Sequence, residues 1–206
     1  MIDTLAHLKK DRCFCPRLLR LAGYYHGKID GRSTRDFRYS QAKLRNETEG
    51  LRWLLGWVDM ESEANISTLL PEAQRAARSW LKYARVIALE AGYDVRIICG
   101  TRTYMEQDAL FELNPDKTKA RGGQSMHNFG LAWDIGIFQG KKHFPEHELY
   151  KILAQSPNTN PVLTWGGSSN HAHYQLNTYG DIETVRKKFE ACGSIPACLG
   201  KSSTCF

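Results

Sequence analysis

The most regular hydrophobic pattern in the chain follows Pro71. The apolar residues there recur at helical spacing: Ala77, Trp80, Leu81, Ala84, Ile87 and Ala88. Pro71 near the start, Glu72 in the first turn and Gly92 just past the end are typical of helix boundaries. The pattern therefore predicts one long amphipathic helix over 71–91.

Shorter patterns predict the remaining elements of the main domain. Thr103 and Glu106 have the spacing of a capping box, which predicts a helix over 103–113 and gives Glu106 a structural role in preference to a catalytic one. Apolar runs predict strands over 95–99, 131–138 and 162–165, and helical patterns follow at 145–153 and from Asp181. Polar residues 114–124 form a predicted loop. This order predicts an α+β domain with a small antiparallel sheet flanked by helices.

The first sixty residues predict a small helical module. A Gly-Tyr-Tyr sequence at 23–25 and an Ile-Asp-Gly sequence at 29–31 separate two helical patterns. The strongly apolar run at 51–58 is interpreted as core that joins this module to the next. Because there is no Pro/Ser-rich linker, we expect close packing of three parts: a module over 1–62, a main domain over 63–192 and a Cys-containing tail over 193–206.

Composition and charge restrict the partners. The net charge is +6 and the pI about 9.0, which suits an anionic polymer such as a bacterial cell wall. Lys and Arg are spread along the chain without a nucleic-acid motif, so nucleic acid is not an expected partner. No stretch is long and apolar enough to span a bilayer, and the first residues do not form a signal peptide. We expect a monomer.

The six cysteines do not predict a structural metal site, because they lack paired C-x-x-C spacing. Cys99 falls in a predicted strand and is interpreted as a small core residue. Bridges between Cys192 and Cys198, or between the N-terminal pair and the tail, are both open in an oxidising compartment.

Candidate chemistry centres on His127, Asp134 and His173. His127 lies in a polar, glycine-bearing turn, Asp134 opens the apolar run that follows, and His173 lies in a short alternating segment. Two imidazoles and one carboxylate are a typical catalytic zinc set, which leaves one position for water. A His and an Asp seven residues apart would by themselves be weak evidence for a metal.

The surrounding residues strengthen this hypothesis. The motif Ser-x-His-x-x-Gly-x-Ala-x-Asp over 125–134, followed by a distant His-aromatic-Gln, resembles the M15 family of zinc peptidases, nearest to phage endolysins and L-alanyl-D-glutamate endopeptidases. The resemblance also covers 68–72, 100–110, 120–123 and 165–167. It implies a Hedgehog/D-Ala-D-Ala peptidase-like fold with Zn2+ on the open face of the sheet. The N-terminal segment is similar to a peptidoglycan-binding helical repeat, although its Gly-Pro element is shortened to Arg32-Ser33, and a plain packing role is equally open.

The resemblance also implies roles for individual residues. Arg102 would serve the substrate and the oxyanion, while Ser125, Gln107 and Trp165 would bind substrate. Family members carry Asp or Glu as the base three residues before the last zinc-binding His, where this chain has Asn170. An amide can orient water but cannot accept its proton near neutral pH. Asn170 is thus an engineered replacement, a natural change that weakens activity, or a sign that another base acts. If 171–175 is extended, His171 shares a face with His173 and is the alternative base.

The leading functional hypothesis is zinc-dependent hydrolysis of peptide bonds in peptidoglycan stem peptides, of the L-alanyl-D-glutamate endopeptidase type. Its target would be bacterial peptidoglycan at the cell wall or periplasm, reached by holin-type release or a specialised secretion route. A D-Ala-D-Ala carboxypeptidase is the alternative with the same chemistry. A catalytically impaired zinc protein that binds muropeptides is the alternative of another class.

Overall fold

The computed structural model describes residues 12–116, 118–155 and 162–191. The predicted tail over 193–206, with Cys198 and Cys205, lies outside these residues. Cys192 and the end of the last helix, predicted at Gly193, also lie outside them. The helices are α1 (Phe14–Leu21), α2 (Arg35–Leu55), α3 (Met60–Ile66), α4 (Pro71–Glu90), α5 (Tyr104–Leu113), α6 (Leu149–Ala154) and α7 (Ile182–Glu190). The strands are β1 (Asp94–Cys99), β2 (Ala132–Gln139), β3 (Lys142–His143), β4 (Leu163–Trp165) and β5 (His173–Leu176).

The sheet is small and antiparallel, in the order β1-β2-β5-β4, with β3 paired to the end of β2. One face of it packs against α4, whose apolar stripe is buried together with Trp133 and Ile135 of β2. The other face is left for polar side chains. The α+β class predicted from the sequence is therefore confirmed.

Helix boundaries follow the capping residues closely. Pro71 is the first residue of α4, and Thr103 and Glu106 form a capping box at the start of α5 with both reciprocal hydrogen bonds. Asp181 accepts a hydrogen bond from the Thr184 N–H at the start of α7. The helix predicted over 145–153 is shorter, because α6 begins only at Leu149.

The N-terminal helices pack directly on the rest of the protein. Phe14 and Leu18 of α1 share a buried cluster with Phe129 and with Val185 and Phe189 of α7. The close packing expected from the lack of a linker is thus observed. The boundary predicted at residues 62 and 63 lies inside α3.

The apolar run at 51–58 does not form the core that its composition predicts. Leu51 is buried, but Trp53 is 90% exposed, Leu54 76% and Trp57 61%. The reason is that α2 continues to Leu55 with one face against α4, so only the residues on that side of the helix are buried and the others face solvent.

Cys13 is disulfide-bonded, whereas Cys15 and Cys99 carry thiols. A bridge from the N-terminal pair was one of the two pairings left open. Among the described residues, no helix combines the length and apolar character needed to cross a membrane.

Candidate metal centre

Strand register brings two of the predicted ligands together. Asp134 of β2 and His173 of β5 are direct partners across the antiparallel pair, so their side chains stand on the same face of the sheet. Trp133 and Ile135, on either side of Asp134, point to the opposite face and are fully buried in the core. His173 Nδ1 lies 3.1 Å from Asp134 Oδ1.

The third predicted ligand, His127, lies on a short 3-10 helix, Met126–Phe129, which we call the ligand helix. Ser125 caps this helix, and its Oγ accepts a hydrogen bond from the His127 N–H at 3.4 Å. Gly130 follows with a φ of 68°, a left-handed conformation that suits glycine and directs the chain into β2. His127 is fully buried, and its Nε2 lies 3.2 Å from Asp134 Oδ1 and 3.1 Å from His173 Nδ1.

Hydrogen bonds fix the tautomers of both imidazoles. His127 Nδ1 donates to the carbonyl oxygen of Gly100 at 2.7 Å, and His173 Nε2 donates to Gln175 Oε1 at 3.0 Å. Gln175 is itself oriented, because its Nε2 donates to Asn177 Oδ1 at 2.9 Å. In the neutral rings the other nitrogen of each carries a lone pair. Both lone-pair nitrogens therefore face Asp134 Oδ1.

The protonation states agree with this geometry. Burial lowers the pKa of His127 against the opposing effect of Asp134, which keeps its ring neutral. Three electron-pair donors therefore converge in this tautomeric arrangement, which suits a bound cation.

The separations fit zinc. A tetrahedral zinc ion lies about 2.0–2.1 Å from nitrogen and oxygen ligands, which places those ligands about 3.3 Å apart. The three separations here are 3.1, 3.1 and 3.2 Å. Gly100 and Gln175 supply the outer hydrogen bonds that usually hold metal-bound imidazoles in place.

Cys99 lies beside this centre, which its interpretation as a core residue did not anticipate. It is the partner of Asp134 across β1 and β2, and its sulfur lies close enough to His127 and Asp134 to complete a possible metal-binding group. However, Sγ faces His127 Nδ1 at 4.0 Å, the nitrogen that already donates to Gly100. Burial, with Asp134 nearby, raises the pKa of the thiol to about 12. A protonated thiol is a poor ligand, so His173 completes the set better.

Arg102 borders the centre on the cleft side. Its Nη2 lies 3.4 Å from Asp134 Oδ2, the oxygen that faces away from the imidazoles. Its backbone N–H donates to the His127 carbonyl oxygen at 3.1 Å, which fixes the residue next to the ligand helix. Its Nε is buried and has no hydrogen-bond partner among the described residues. Because the residue also lines the cleft, its guanidinium group is placed to meet a bound anionic group there.

A cleft of about 1380 Å³ passes over the centre. Its walls include Arg102, Ser125, Asn170, His171 and Gln175, together with the three candidate ligands. A cleft of this size can hold several residues of a peptide.

Asn170 and His171 occupy a turn before β5. Asn170 ends a 3-10 helix, Ser168–Asn170, and is exposed at the cleft. The expectation that 171–175 is extended is wrong at its first residue, because His171 has helical angles (φ −66°, ψ −22°) and β5 begins at His173. His171 Nε2 donates to the Pro145 carbonyl oxygen at 2.7 Å. Its neutral ring therefore keeps Nδ1 as an acceptor.

Two predicted substrate residues lie elsewhere. Gln107 is 1% exposed, and its Nε2 donates to the Ala120 carbonyl oxygen at 2.8 Å, so it holds the loop before the ligand helix. Trp165 packs against the core and donates from Nε1 to the His171 carbonyl oxygen at 2.8 Å. Neither lines the cleft. Both support segments that border the cleft, and their role in substrate binding stays a prediction.

Comparison with known proteins gives one curated relative. Over 58 residues the chain is 41% identical to the peptidoglycan L-alanyl-D-glutamate endopeptidase CwlK of Bacillus subtilis (strain 168), a match that covers 26% of this chain and 35% of that protein. The chain is thus similar to this peptidase over a limited stretch and spans about a third of its length. The resemblance inferred from the motifs is confirmed over that stretch.

Two further comparisons add little. A solved structure, the Serratia marcescens L-Ala D-Glu endopeptidase ChiX, is 20% identical with a TM-score of 0.40, over 58% of this chain and 88% of that one. That likeness is too distant to bear on function. No family model matches the chain.

Proposed function

We propose that the chain is a zinc-dependent peptidase that hydrolyses a peptide bond in peptidoglycan stem peptides, of the L-alanyl-D-glutamate type. The observation that carries this proposal is the convergence of two imidazole lone pairs and a carboxylate within 3.2 Å at the floor of a cleft. The match to CwlK supports the choice of substrate.

His127, Asp134 and His173 would hold the metal through Nε2, Oδ1 and Nδ1. When bound, zinc would supply a Lewis acid that activates water and polarises the scissile carbonyl group. Arg102 would bind a substrate carboxylate or the developing oxyanion through its guanidinium group at the cleft. Ser125, which lines the same cleft, would contact the substrate backbone.

The position of the general base remains the distinctive feature of this proposal. Asn170 reaches the cleft with an amide, which can hold a water but cannot take its proton. His171 lines the cleft and has an acceptor nitrogen left over from its bond to Pro145. We propose that His171 supplements or replaces the missing carboxylate.

The amide at Asn170 also favours a second candidate of another class, a zinc protein that binds muropeptides without cleaving them. For either candidate we place the action at the cell wall or periplasm, on peptidoglycan, as a monomer, with delivery by holin-type release or a specialised secretion route.

The deciding experiment digests purified peptidoglycan with the protein, with and without a chelator, and identifies new ends by mass spectrometry. New N-terminal glutamate is the expected result, whereas free D-alanine would show a D-Ala-D-Ala carboxypeptidase. Binding without cleavage would favour the non-catalytic candidate.

The metal is tested separately by elemental analysis. The His127→Ala protein should lose about one zinc per chain. The control His26→Ala changes an exposed His that is remote in sequence from the candidate ligands, and it should retain the zinc. Unchanged stoichiometry in His127→Ala would remove His127 from the site and contradict the proposal.

A further inference from the structure

The end of α2 and the segment that leads into α3 expose large apolar side chains that nothing in the described chain covers. Trp53 is 90% exposed, Leu54 76%, Trp57 61% and Met60 75%. Single exposed apolar residues are common, but here four lie within eight residues of the chain, and local concentrations of exposed apolar surface mark interaction sites. We call residues 53, 54, 57 and 60 the apolar patch.

The same helix presents a basic outer face. Arg35 and Trp53 are separated by five turns of α-helix, so they lie on one line about 27 Å long. Tyr39, 73% exposed, lies close to that line. Arg38 and Arg45, both exposed, flank it on one side. The outer face of α2 thus carries three arginines and one exposed tyrosine, and it leads to the apolar patch.

The acidic residues of α2 do not cancel this charge. Glu49 is paired with Arg52 at 2.5 Å, whereas Glu47 keeps its charge but is directed at Tyr24, whose hydroxyl donates to it, and so lies off the outer face. Of the acidic groups on the helix, Asp36 is the exposed one beside the three arginines. The outer face is therefore net positive and complements an anionic surface.

We propose that the outer face of α2 and the apolar patch together bind the surface of an anionic lipid bilayer peripherally, without spanning it. A helix that lies in the membrane interface combines basic residues with Trp, Leu and similar side chains that enter the boundary between headgroups and acyl chains. Tryptophan is at home there because its ring is apolar and its N–H is polar.

The chemistry of the apolar patch separates this partner from anionic polymers. A glycan strand or a nucleic acid offers sugars and charged groups, which the arginines and aromatic rings could contact. Leu54 and Met60 would gain little from such a partner, because neither side chain can hydrogen-bond or stack, whereas both gain by leaving water for lipid. A lipid surface uses all four members of the patch and the arginines together.

The inference goes beyond the proposed peptidase activity and is tested without it. The whole protein is sedimented with vesicles of phosphatidylcholine alone and with vesicles that contain one-third phosphatidylglycerol. We expect binding to the anionic vesicles that weakens as salt is raised, since screening shortens the range of the arginine charges.

Two variants divide the contributions. The double change Trp53→Ser with Leu54→Ser should weaken binding to anionic vesicles roughly tenfold or more through lost apolar burial. Changing Arg35, Arg38 and Arg45 to Gln should weaken it by roughly fivefold for each charge near the surface. Circular dichroism and zinc content should not change, because all these side chains are exposed.

Matched controls lie elsewhere on the surface. Leu113→Ser removes an equally exposed leucine, 79% accessible, and Lys141→Gln with Lys187→Gln removes two exposed charges. Both should bind vesicles as the parent does. No binding by the parent, equal binding to neutral vesicles, or equal losses in the controls would overturn the proposal. So would variants that lose binding to peptidoglycan sacculi or DNA but keep binding to vesicles.

Discussion

At the scale of single residues, the orientation of His173 depends on one amide. Gln175 accepts the Nε2–H of His173 and thereby turns the lone pair of Nδ1 toward Asp134. Removing this acceptor in Gln175→Ala should lower zinc affinity about 10- to 100-fold, the usual cost of losing an outer hydrogen bond to a metal-bound imidazole. Competition with a chromophoric chelator measures that affinity directly.

The conservative variant makes this prediction specific. Gln175→Glu keeps an acceptor oxygen and should retain most of the affinity, while Gln139→Ala, at the exposed end of β2, should have no effect. An unchanged dissociation constant in Gln175→Ala would show that His173 is oriented by its strand alone.

Asn170 is the residue at which we expect a single substitution to increase the rate of peptide hydrolysis. Because its side chain is exposed at the cleft, Asn170→Asp should fold normally and place a carboxylate where the resemblance to M15 peptidases predicts the general base. A positioned base commonly contributes about 100-fold or more to rate. We expect a gain of that order in the turbidity loss of purified peptidoglycan.

His171→Ala is the companion variant. It should abolish the slow activity of the parent chain if His171 acts as the base, and leave the rate of Asn170→Asp largely intact. Equal rates for the parent and Asn170→Asp would mean that the amide position does not limit the reaction.

The motif selected the candidate metal ligands but did not predict all of the residues that lie next to them. Residue identity and spacing were enough to select His127, Asp134 and His173, because the motif fixes which residues share a turn and a strand. Cys99 was not expected at the centre, since only the pairing of β1 with β2 places it opposite Asp134. His171 was expected on an extended segment, yet nothing in Asn170-His171-Ala172 distinguishes a helical turn from a strand.

At the scale of helices and strands, capping residues predicted boundaries well and apolar composition predicted burial poorly. Thr103 and Glu106 mark the start of α5 through local hydrogen bonds, which are encoded within four residues. The run at 51–58 needed tertiary information, because only the position of α4 decides which side of α2 is covered. The charged residues Glu63 and Arg78 are fully buried beneath α2, whereas the apolar Trp53 is exposed to solvent.

The buried ion-pair network of Glu63 with Arg52 and Arg78 offers a test of how α2, α3 and α4 pack together. Glu63 Oε2 accepts from Arg78 Nη2 at 2.8 Å and from Arg52 Nε at 2.9 Å. Replacing it in Glu63→Gln leaves the buried Arg78 guanidinium without its anion and leaves Arg52 paired with Glu49 alone. The free energy of unfolding should fall by about 3 kcal/mol at neutral pH, as measured in urea.

The effect should depend on pH with a definite sign. Burial opposes ionisation of Glu63, but Arg78 and Arg52 lower its pKa below the usual 4.5. A carboxylate whose pKa is lower in the folded state stabilises above the unfolded value and loses that contribution as the pH falls through the folded value. The difference between the parent and Glu63→Gln should therefore narrow below about pH 4.5. Glu61→Gln, at a half-exposed side chain, should change stability by less than about 0.5 kcal/mol at any pH.

At the scale of the whole molecule, the N-terminal helices and the domain with the candidate metal site pack as one unit in the structure. The ring of Phe14 in α1 meets that of Phe189 in α7 at 5.4 Å, edge to face. Arg17 Nη1 donates to the carbonyl oxygens of Phe189 and Glu190 at 3.0 Å each, so α1 also caps the end of α7. Phe129, at the end of the ligand helix, packs on the same Phe189 ring. A continuous apolar path thus joins α1 to His127.

We therefore predict that a destabilising substitution in α1 also destabilises the strand that carries the candidate metal ligand Asp134. Phe14→Ala should lower the free energy of unfolding by about 3–5 kcal/mol, the usual range for a buried Phe, with one transition for the whole chain. Hydrogen exchange should report the same loss of protection for amides of α2 and of β2, while Tyr39→Ala, at a 73% exposed ring, should affect neither. If Phe14→Ala exposed only the amides of α2 and left β2 protected, the first 62 residues would be an independently folding module, and the packing of α1 on α7 would be an interface between two domains.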